Sequence, residues 1–381
     1  MSKEKRRVPK LRFPGFTEDW EQRKFGEIMT FLNGRAYKQD ELLEDGKYKV
    51  LRVGNFYTND SWYYSDLELD DKYYAMNGDL LYTWSATFGP HIWKGEKVIY
   101  HYHIWKLVLQ DKIDKLFALQ LLEVDKANIM SDKNGSTMVH ITKQGMENKQ
   151  TILPISLNEQ KQIAKFLSSM DKLITLHQRK LNNLKLKKKA LFQKLFPKNG
   201  ERYPELRFPG FTDAWEQCKL KSIANTIVAG GDIDKNKIKE SGTYPVIANA
   251  LTKDGVVGYY EDTYRIEAPA VTVTGRGDIG VAKARHQNFT PVVRLLSLTT
   301  AHDVDFIENA INNLKIVSES TGVAQLTVPQ LSNYKIHITS ILEERKIGLF
   351  ISKVDNLITL HQRKLDHLQL QKKALLQQMF V

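Results

Sequence analysis

The sequence predicts an α+β chain made of two like units, each a mixed strand-and-helix globular domain followed by a long helix. Two observations predict this: a repeated frame and a repeated heptad seam. Residues 9–22 read Pro-Lys-Leu-Arg-Phe-Pro-Gly-Phe-Thr-Glu-Asp-Trp-Glu-Gln, and residues 204–217 read Pro-Glu-Leu-Arg-Phe-Pro-Gly-Phe-Thr-Asp-Ala-Trp-Glu-Gln. Further on, Asp171 to Leu181 returns as Asp355 to Leu365 with only Lys172 changed, to Asn356. Between these matched pieces the two copies differ almost completely. Duplicated frames with unlike inserts suit one job done on two different targets.

The repeat sets the boundaries. A first repeat segment covers 1–20, a first domain 21–155 and a first helix 156–198. A linker and second repeat segment cover 199–216, a second domain 217–339 and a second helix 340–381. The frame offset is 195 at Phe-Pro-Gly-Phe and 184 at Asp-Leu-Ile-Thr, so the second insert is 11 residues shorter. Loop-length differences of this kind are cheap on a fixed scaffold. The join Phe196-Pro-Lys-Asn-Gly-Glu-Arg-Tyr-Pro204 carries the Pro and Gly of a helix stop.

The long helices are read from their spacing. Ile163, Leu167, Met170, Ile174, His177, Leu181, Leu184, Lys188, Leu191 and Leu195 recur in alternating steps of four and three. Ile347, Ile351, Val354, Ile358, His361, Leu365, Leu368, Lys372, Leu375 and Met379 do the same. This is the seam of a coiled coil, and two like seams in one chain most simply pair with each other. His177 and His361 read as register-setting seam residues. The inserts read differently: 47–53, 79–84, 97–109 and 269–274 are rich in Val, Tyr, Thr and Leu and are bounded by turn formers, as strands are. Short helices fill the stretches near 113–126 and 303–315. Trp20 and Trp215, with Phe13, Phe16, Phe208 and Phe211, read as core or interdomain packing.

The 381 residues carry a net charge of +12 with a pI of about 9.3, which favours a polyanionic partner. A membrane is the weaker choice, because no apolar run approaches the ~20 residues that span a bilayer. The polar start Met-Ser-Lys-Glu-Lys-Arg-Arg lacks the apolar core of a secretory signal. A lone cysteine, Cys218, excludes an intrachain disulfide and a cysteine-clustered zinc site. A cytoplasmic location fits all of this.

Catalytic signatures are missing. There is no phosphate-binding Gly-x-x-x-x-Gly-Lys-Ser/Thr loop, no His-Glu-x-x-His, no Gly-x-Ser-x-Gly and no Pro-Pro dipeptide, hence no adenine-methylation tetrapeptide. Nor is there a nuclease-spaced Pro-Asp with Asp/Glu-x-Lys. Gly275-Arg-Gly277-Asp-Ile-Gly280 matches a dinucleotide fingerprint, but Val281 to Phe289 reads as a strand where that site needs a helix. His101 and His103 share one face of the expected strand, without the Cys or Asp companions of a metal site.

Binding is what is left. Cations neutralise phosphates, while Arg, Asn, Gln and Ser/Thr reach base edges. The first insert offers Arg35, Lys38, Arg52, Asn55, Trp84, Ser85 and Thr87 for duplex DNA. The second offers Lys235, Lys237, Asn249, Thr274, Arg276, Asp278, Lys283, Arg285 and His286. From Asp171 to Phe196 there are eight Lys/Arg and one acid, which reads first as a solvated face.

The order of variable domain, then Ile-Leu-Pro-Ile-Ser-Leu-Asn-Glu-Gln-Lys-Gln-Ile-Ala (152–164), then long helix, then all of it again, resembles the DNA-specificity subunit of type I restriction–modification systems. The Pro-x-x-x-x-Glu-Gln-x-x-Ile element and Gly78-Asp-Leu-Leu-Tyr to Gly89 carry the likeness. In the second copy Ile338-Thr-Ser-Ile-Leu-Glu-Glu-Arg-Lys-Ile departs from the Pro and Gln of the first. The resemblance implies two target-recognition domains, each reading half of a split site, and an antiparallel pair of helices that separates them. It implies a subunit without catalysis or cofactor of its own. Two methylation subunits would bring S-adenosylmethionine, and restriction subunits would bring ATP and magnesium. A stand-alone nuclease and a structural coiled-coil adaptor are the alternatives. The first needs a carboxylate-and-lysine metal cluster that neither insert supplies, and the second leaves the basic, dissimilar inserts unexplained.

Overall fold

The computed structural model describes residues 7–57, 59–85, 87–131, 141–198, 200–316 and 324–381. The charged start, residues 1–6, and Asn199 of the linker lie outside them. The chain divides into two compact units, Met1–His177 with Lys364–Val381, and Gln178–Arg363. Each unit therefore takes a globular domain and a stretch of both long helices.

The helices are single elements, Leu157–Leu195 and Ile341–Met379. Neither contains proline, and each starts on a serine. Ser156 Oγ accepts the Glu159 N–H at 3.5 Å, and Ser340 Oγ accepts the Glu343 N–H at 3.4 Å. The expected seam is the covered face. Leu167, Leu181, Ile351, Leu365 and Leu368 are buried, while Ile174, His177, Leu184, Leu191, Ile358, His361 and Leu375 are half-buried. Off the seam, Leu176, Leu186, Leu360 and Leu370 are exposed.

The helix directions follow from contacts inside each unit. In the first, Lys372 Nζ lies 2.5 Å from Asp171 Oδ1. In the second, Lys188 Nζ lies 2.6 Å from Asp355 Oδ1. Residues late in one helix thus meet residues earlier in the other, so the pairing is antiparallel within each unit. The polar seam positions Lys188 and Lys372 are matched by aspartates that are themselves repeat equivalents, a partner the heptad pattern does not show.

The two inserts share a topology that their sequences hide. In the first unit, strands Met29–Asn33, Ile104–Leu109, Leu80–Thr83 and Gly89–Ile92 form one four-stranded sheet in that order. A second sheet runs Tyr63–Ser65, Tyr48–Leu51, Val98–Tyr100, Tyr74–Ala75. In the second unit, the order Ala224–Ala229, Leu295–Thr300, Ala270–Thr274, Ala282–Arg285 repeats the first sheet. Val256–Tyr260, Tyr244–Ile247, Thr290–Pro291 repeat three strands of the second. Even the parallel pairing recurs, Val50 opposite Ile99 and Val246 opposite Thr290. Ala270–Thr274 is buried at every position, as a strand covered on both faces must be.

Each insert is closed by a strand pair that sets its ends side by side: Glu21–Lys24 with Gln150–Leu153, and Glu216–Lys219 with Lys335–Ile338. The strand expected over 97–109 breaks into two around a turn, so His101 and His103 flank a turn and do not share a strand face. The expected short helices run Lys115–Ser131 and Val304–Asn312.

The repeat segments form clasps. Arg12 binds Glu159 through Nε and Nη2 at 2.7 and 2.9 Å, and Arg207 binds Glu343 in the same way at 2.7 and 2.8 Å. The glutamates are 2% and 0% exposed, so these are charges that burial would penalise without their partners. The Leu11 N–H donates to Gln378 O and the Leu206 N–H to Lys194 O, tying each segment to the last turn of a long helix. Beneath each clasp lies an aromatic trio with centroids 5.4–6.4 Å apart: Trp20, Phe117 and Phe380, and Trp215, Phe196 and Phe306. The tryptophans are core residues, as their position in the repeat led us to expect.

Replacing Arg12 by Ala strands Glu159 and should destabilise the first unit by on the order of 3 kcal/mol, read as a shift in denaturant midpoint. An unchanged midpoint would mean that the pair is a surface contact. Leu181→Ala and Leu365→Ala should each cost about 3 kcal/mol, whereas Leu186→Ala, on the exposed face, should leave the midpoint within experimental scatter.

Candidate nucleic-acid interface

In the first unit the turn His101–His103 gathers three of the residues expected to touch DNA. The Tyr102 N–H donates to Arg35 O, the His101 N–H donates to Leu51 O next to Arg52, and the Trp84 N–H donates to His103 O. Gly34 is needed here, because a Cβ would sit 2.3 Å from His101 O. Trp84 stacks on Trp105 with centroids 5.8 Å apart and donates its Nε1–H to Tyr102 O at 2.9 Å. A cleft of about 270 Å³ opens beside it, lined by Asn33, Trp84, Tyr102, Trp105 and Lys143 among others.

The cations here are held in place. Arg35 forms a bidentate pair with Glu41 at 2.6 and 3.0 Å and lies over the Tyr37 ring. The Arg52 guanidinium lies 4.2 Å from the Tyr63 ring centroid. Asn55 spends its amide on Asn59 O and Ser61 O, and its carbonyl oxygen accepts the Arg52 N–H. It therefore shapes the loop that holds Arg52. Lys38 and Thr87 are exposed and Ser85 is half-buried, on neighbouring loops. Tyr63, Tyr102 and Glu41 escaped sequence reading. The aromatic run His101-Tyr-His103 between two apolar strands was the available signal.

Burial, with His103 and Arg52 close by, pushes the His101 imidazole down to about 4. Burial does the same to His91, which stacks on Phe56. Both rings are therefore neutral at physiological pH.

In the second unit the expected residues separate. Lys235 is exposed on the turn Lys235–Lys237, and Arg276 and Asp278 are exposed on the turn after Ala270–Thr274. Thr274 is a correction: it is 7% exposed, its hydroxyl donates to Asp278 O and accepts the Val281 N–H, and it builds the turn from inside. Asn249 is likewise turned inward, its side chain bonded to Gly275 N–H and Val293 O. Arg285 is half-buried with Nε on Thr272 Oγ1, and burial lowers its pKa. His286 pairs with Asp305 at 3.1 Å, and Lys283 is exposed. The Gly275–Gly280 turn leads into strand Ala282–Arg285, as the sequence pattern predicts, and so lacks the helix N-terminus that a dinucleotide pyrophosphate needs.

Among the described residues no three His, Cys, Asp or Glu side chains are placed to hold a metal, and no helix is long and apolar enough to cross a membrane.

Two like strand-rich domains that present cations on loops, each clasped to long amphipathic helices, define a duplicated binding protein. The sequence profile described as "Type I restriction modification DNA specificity domain" matches twice, over residues 17–186 and 212–370. The chain belongs to this family. It is 25% identical over 405 residues to the type I restriction enzyme MjaVIII specificity subunit of Methanocaldococcus jannaschii, covering 96% of this chain and 92% of that one. It is 29% identical over 216 residues to a putative type I specificity subunit of Mycoplasma pneumoniae, covering 53% and 55%. Its fold matches the crystal structure of a type I restriction–modification S subunit from M. genitalium with a TM-score of 0.71 at 16% identity, over 98% of this chain and 99% of that one.

The lowered imidazoles predict that His91 and His101 stay neutral in an NMR titration until the pH is below about 5. Their folded pKa values lie below the unfolded value of about 6.5. The unfolded chain then takes up protons that the folded one refuses, and the first unit loses stability as the pH falls from about 6.5 toward 4. A His101 resonance titrating near 6.5 would contradict this geometry.

Proposed function

We propose that each unit reads one half of a bipartite duplex DNA site, and that the long helices set the unread gap between the halves and dock two methylation subunits. What carries this reading is a frame whose arginine–glutamate pair, aromatic trio and seam pair recur in both copies, around loops that share a topology but no side-chain pattern. A frame kept constant positions the two domains alike, and unlike loops give each a different target. Family membership supports the specificity role, and the net charge of +12 supports a duplex as the target.

Each 39-residue helix is about 58 Å long at about 1.5 Å per residue. That exceeds the ~34 Å of one DNA turn, so the halves of the site need not be contiguous. On this reading the chain itself performs no chemistry and holds no cofactor. S-adenosylmethionine is used by the methylation subunits, and ATP and magnesium by restriction subunits of the assembled cytoplasmic complex.

Co-expression with a methylation subunit in a methylation-free host, followed by genome sequencing for modified adenines, should return two unlike short motifs around a fixed gap. Replacing residues 21–150 by the insert of another family member should change one motif and leave the other. A swap that altered both halves, or a single continuous motif from the native chain, would sink this reading.

A further inference from the structure

The described residues include three non-glycine positions with left-handed backbone: Lys253 at φ 50°, Asp254 at φ 54° and Arg294 at φ 70°. All three lie in the second unit. Strain at side-chain-bearing residues persists only where the surroundings enforce it, and such residues collect at binding surfaces. Asn249 bridges the segments that carry these residues. Its Oδ1 accepts the Gly275 N–H at 2.8 Å, and its Nδ2 donates to Val293 O at 3.1 Å. One amide thus ties together the loop that carries Lys253, the turn that carries Arg276 and the turn that carries Arg294. The fit is close: a Cβ on Gly275 would stand 2.2 Å from Arg294 O. Lys253, Asp254, Arg276 and Asp278 are exposed, and Arg294 is half-buried. None of the three cations is ion-paired to a described residue, unlike Arg35 in the first unit.

We propose that these three turns form the base-reading edge of the second unit. The inference rests on the DNA-reading role proposed above. Arg276, on a turn with Gly277 at φ 74°, reaches into the major groove and donates to the O6 and N7 acceptors of a guanine. Asp278 on the same turn accepts from a cytosine amino group. Lys253 and Arg294 hold the flanking phosphates, which fixes register without reading sequence. Asn249 touches no DNA and is a positioning residue.

The test uses the full chain in complex with its methylation subunits, reading the modified motif and the affinity for duplex at several salt concentrations. Arg276→Ala should relax one position of one half-site and leave the other half-site intact. Lys253→Gln with Arg294→Gln should keep the motif but weaken binding to all sequences, lowering the slope of log affinity against log salt by about 2. Asn249→Asp, which keeps the acceptor and loses the donor, should relax the same half-site as Arg276→Ala. Loss of complex in the Asn249 variant alone leaves the two cation experiments decisive. If Arg276→Ala and the double variant both leave motif and salt slope unchanged while the native chain still gives a split motif, the three-turn edge is wrong and the DNA-reading role stands. If the native chain gives no split motif, that role itself has failed.

Discussion

A buried carboxylate at the start of each long helix, met by an arginine from the repeat segment, holds the frame together. Glu159 and Glu343 are almost without solvent, and Arg12 and Arg207 supply the partners without which burying those charges would be costly. The pair also fixes direction. A bidentate arginine tolerates little rotation, so the segment must lie across the helix start with its tryptophan inserted below. The strand pair at the root of each domain, the aromatic trio and the hydrogen bond to the last helical turn all hang on that placement.

The two copies are not chemically identical at this point. In the first, Gln160 is a neutral linker: its amide donates to Lys112 O and Pro154 O, and its carbonyl oxygen accepts the Asp114 N–H. In the second, the equivalent Glu344 is fully buried and meets His302 Nδ1 at 3.0 Å, with burial raising the carboxyl. The change that weakened the motif in the sequence is therefore compensated by a residue 42 positions away. Beside the shared arginine–glutamate pair, the first copy adds amide hydrogen bonds from Gln160 and the second a buried His302–Glu344 contact.

The frame was legible in the sequence because it is local. Heptad spacing and a near-verbatim repeat survive without any knowledge of which residues meet, and Leu181 or Leu365 could be placed by counting. The shared topology of the inserts was not legible. It lies in non-local strand pairings such as Thr83 with Ile104 and Thr274 with Leu295, which leave no repeated residue to align. Which candidate side chains are already engaged within the fold was not legible either. Residue type showed that Arg35, Asn249 and Thr274 could bind DNA, but the groups that occupy them are Glu41 six residues on, Gly275 and Val293 far along the chain, and a backbone carbonyl in the same turn. The arrangement around Asn249 had no sequence signature, because positive φ at Lys253 and Arg294 is imposed by packing.

The division of the chain into Met1–His177 with Lys364–Val381, and Gln178–Arg363, bears on the order in which the molecule is made. The second unit is one uninterrupted stretch and holds all its partners before the final turns of the second long helix are synthesised. The first unit begins emerging from the ribosome earlier yet lacks Lys372, Gln378 and Phe380 until those last turns appear. Its aromatic trio is incomplete until then, with Trp20 and Phe117 missing their third ring. The unit encoded first is thus the one whose folding finishes last, and for the time that synthesis takes it is the more exposed to misassembly and proteolysis.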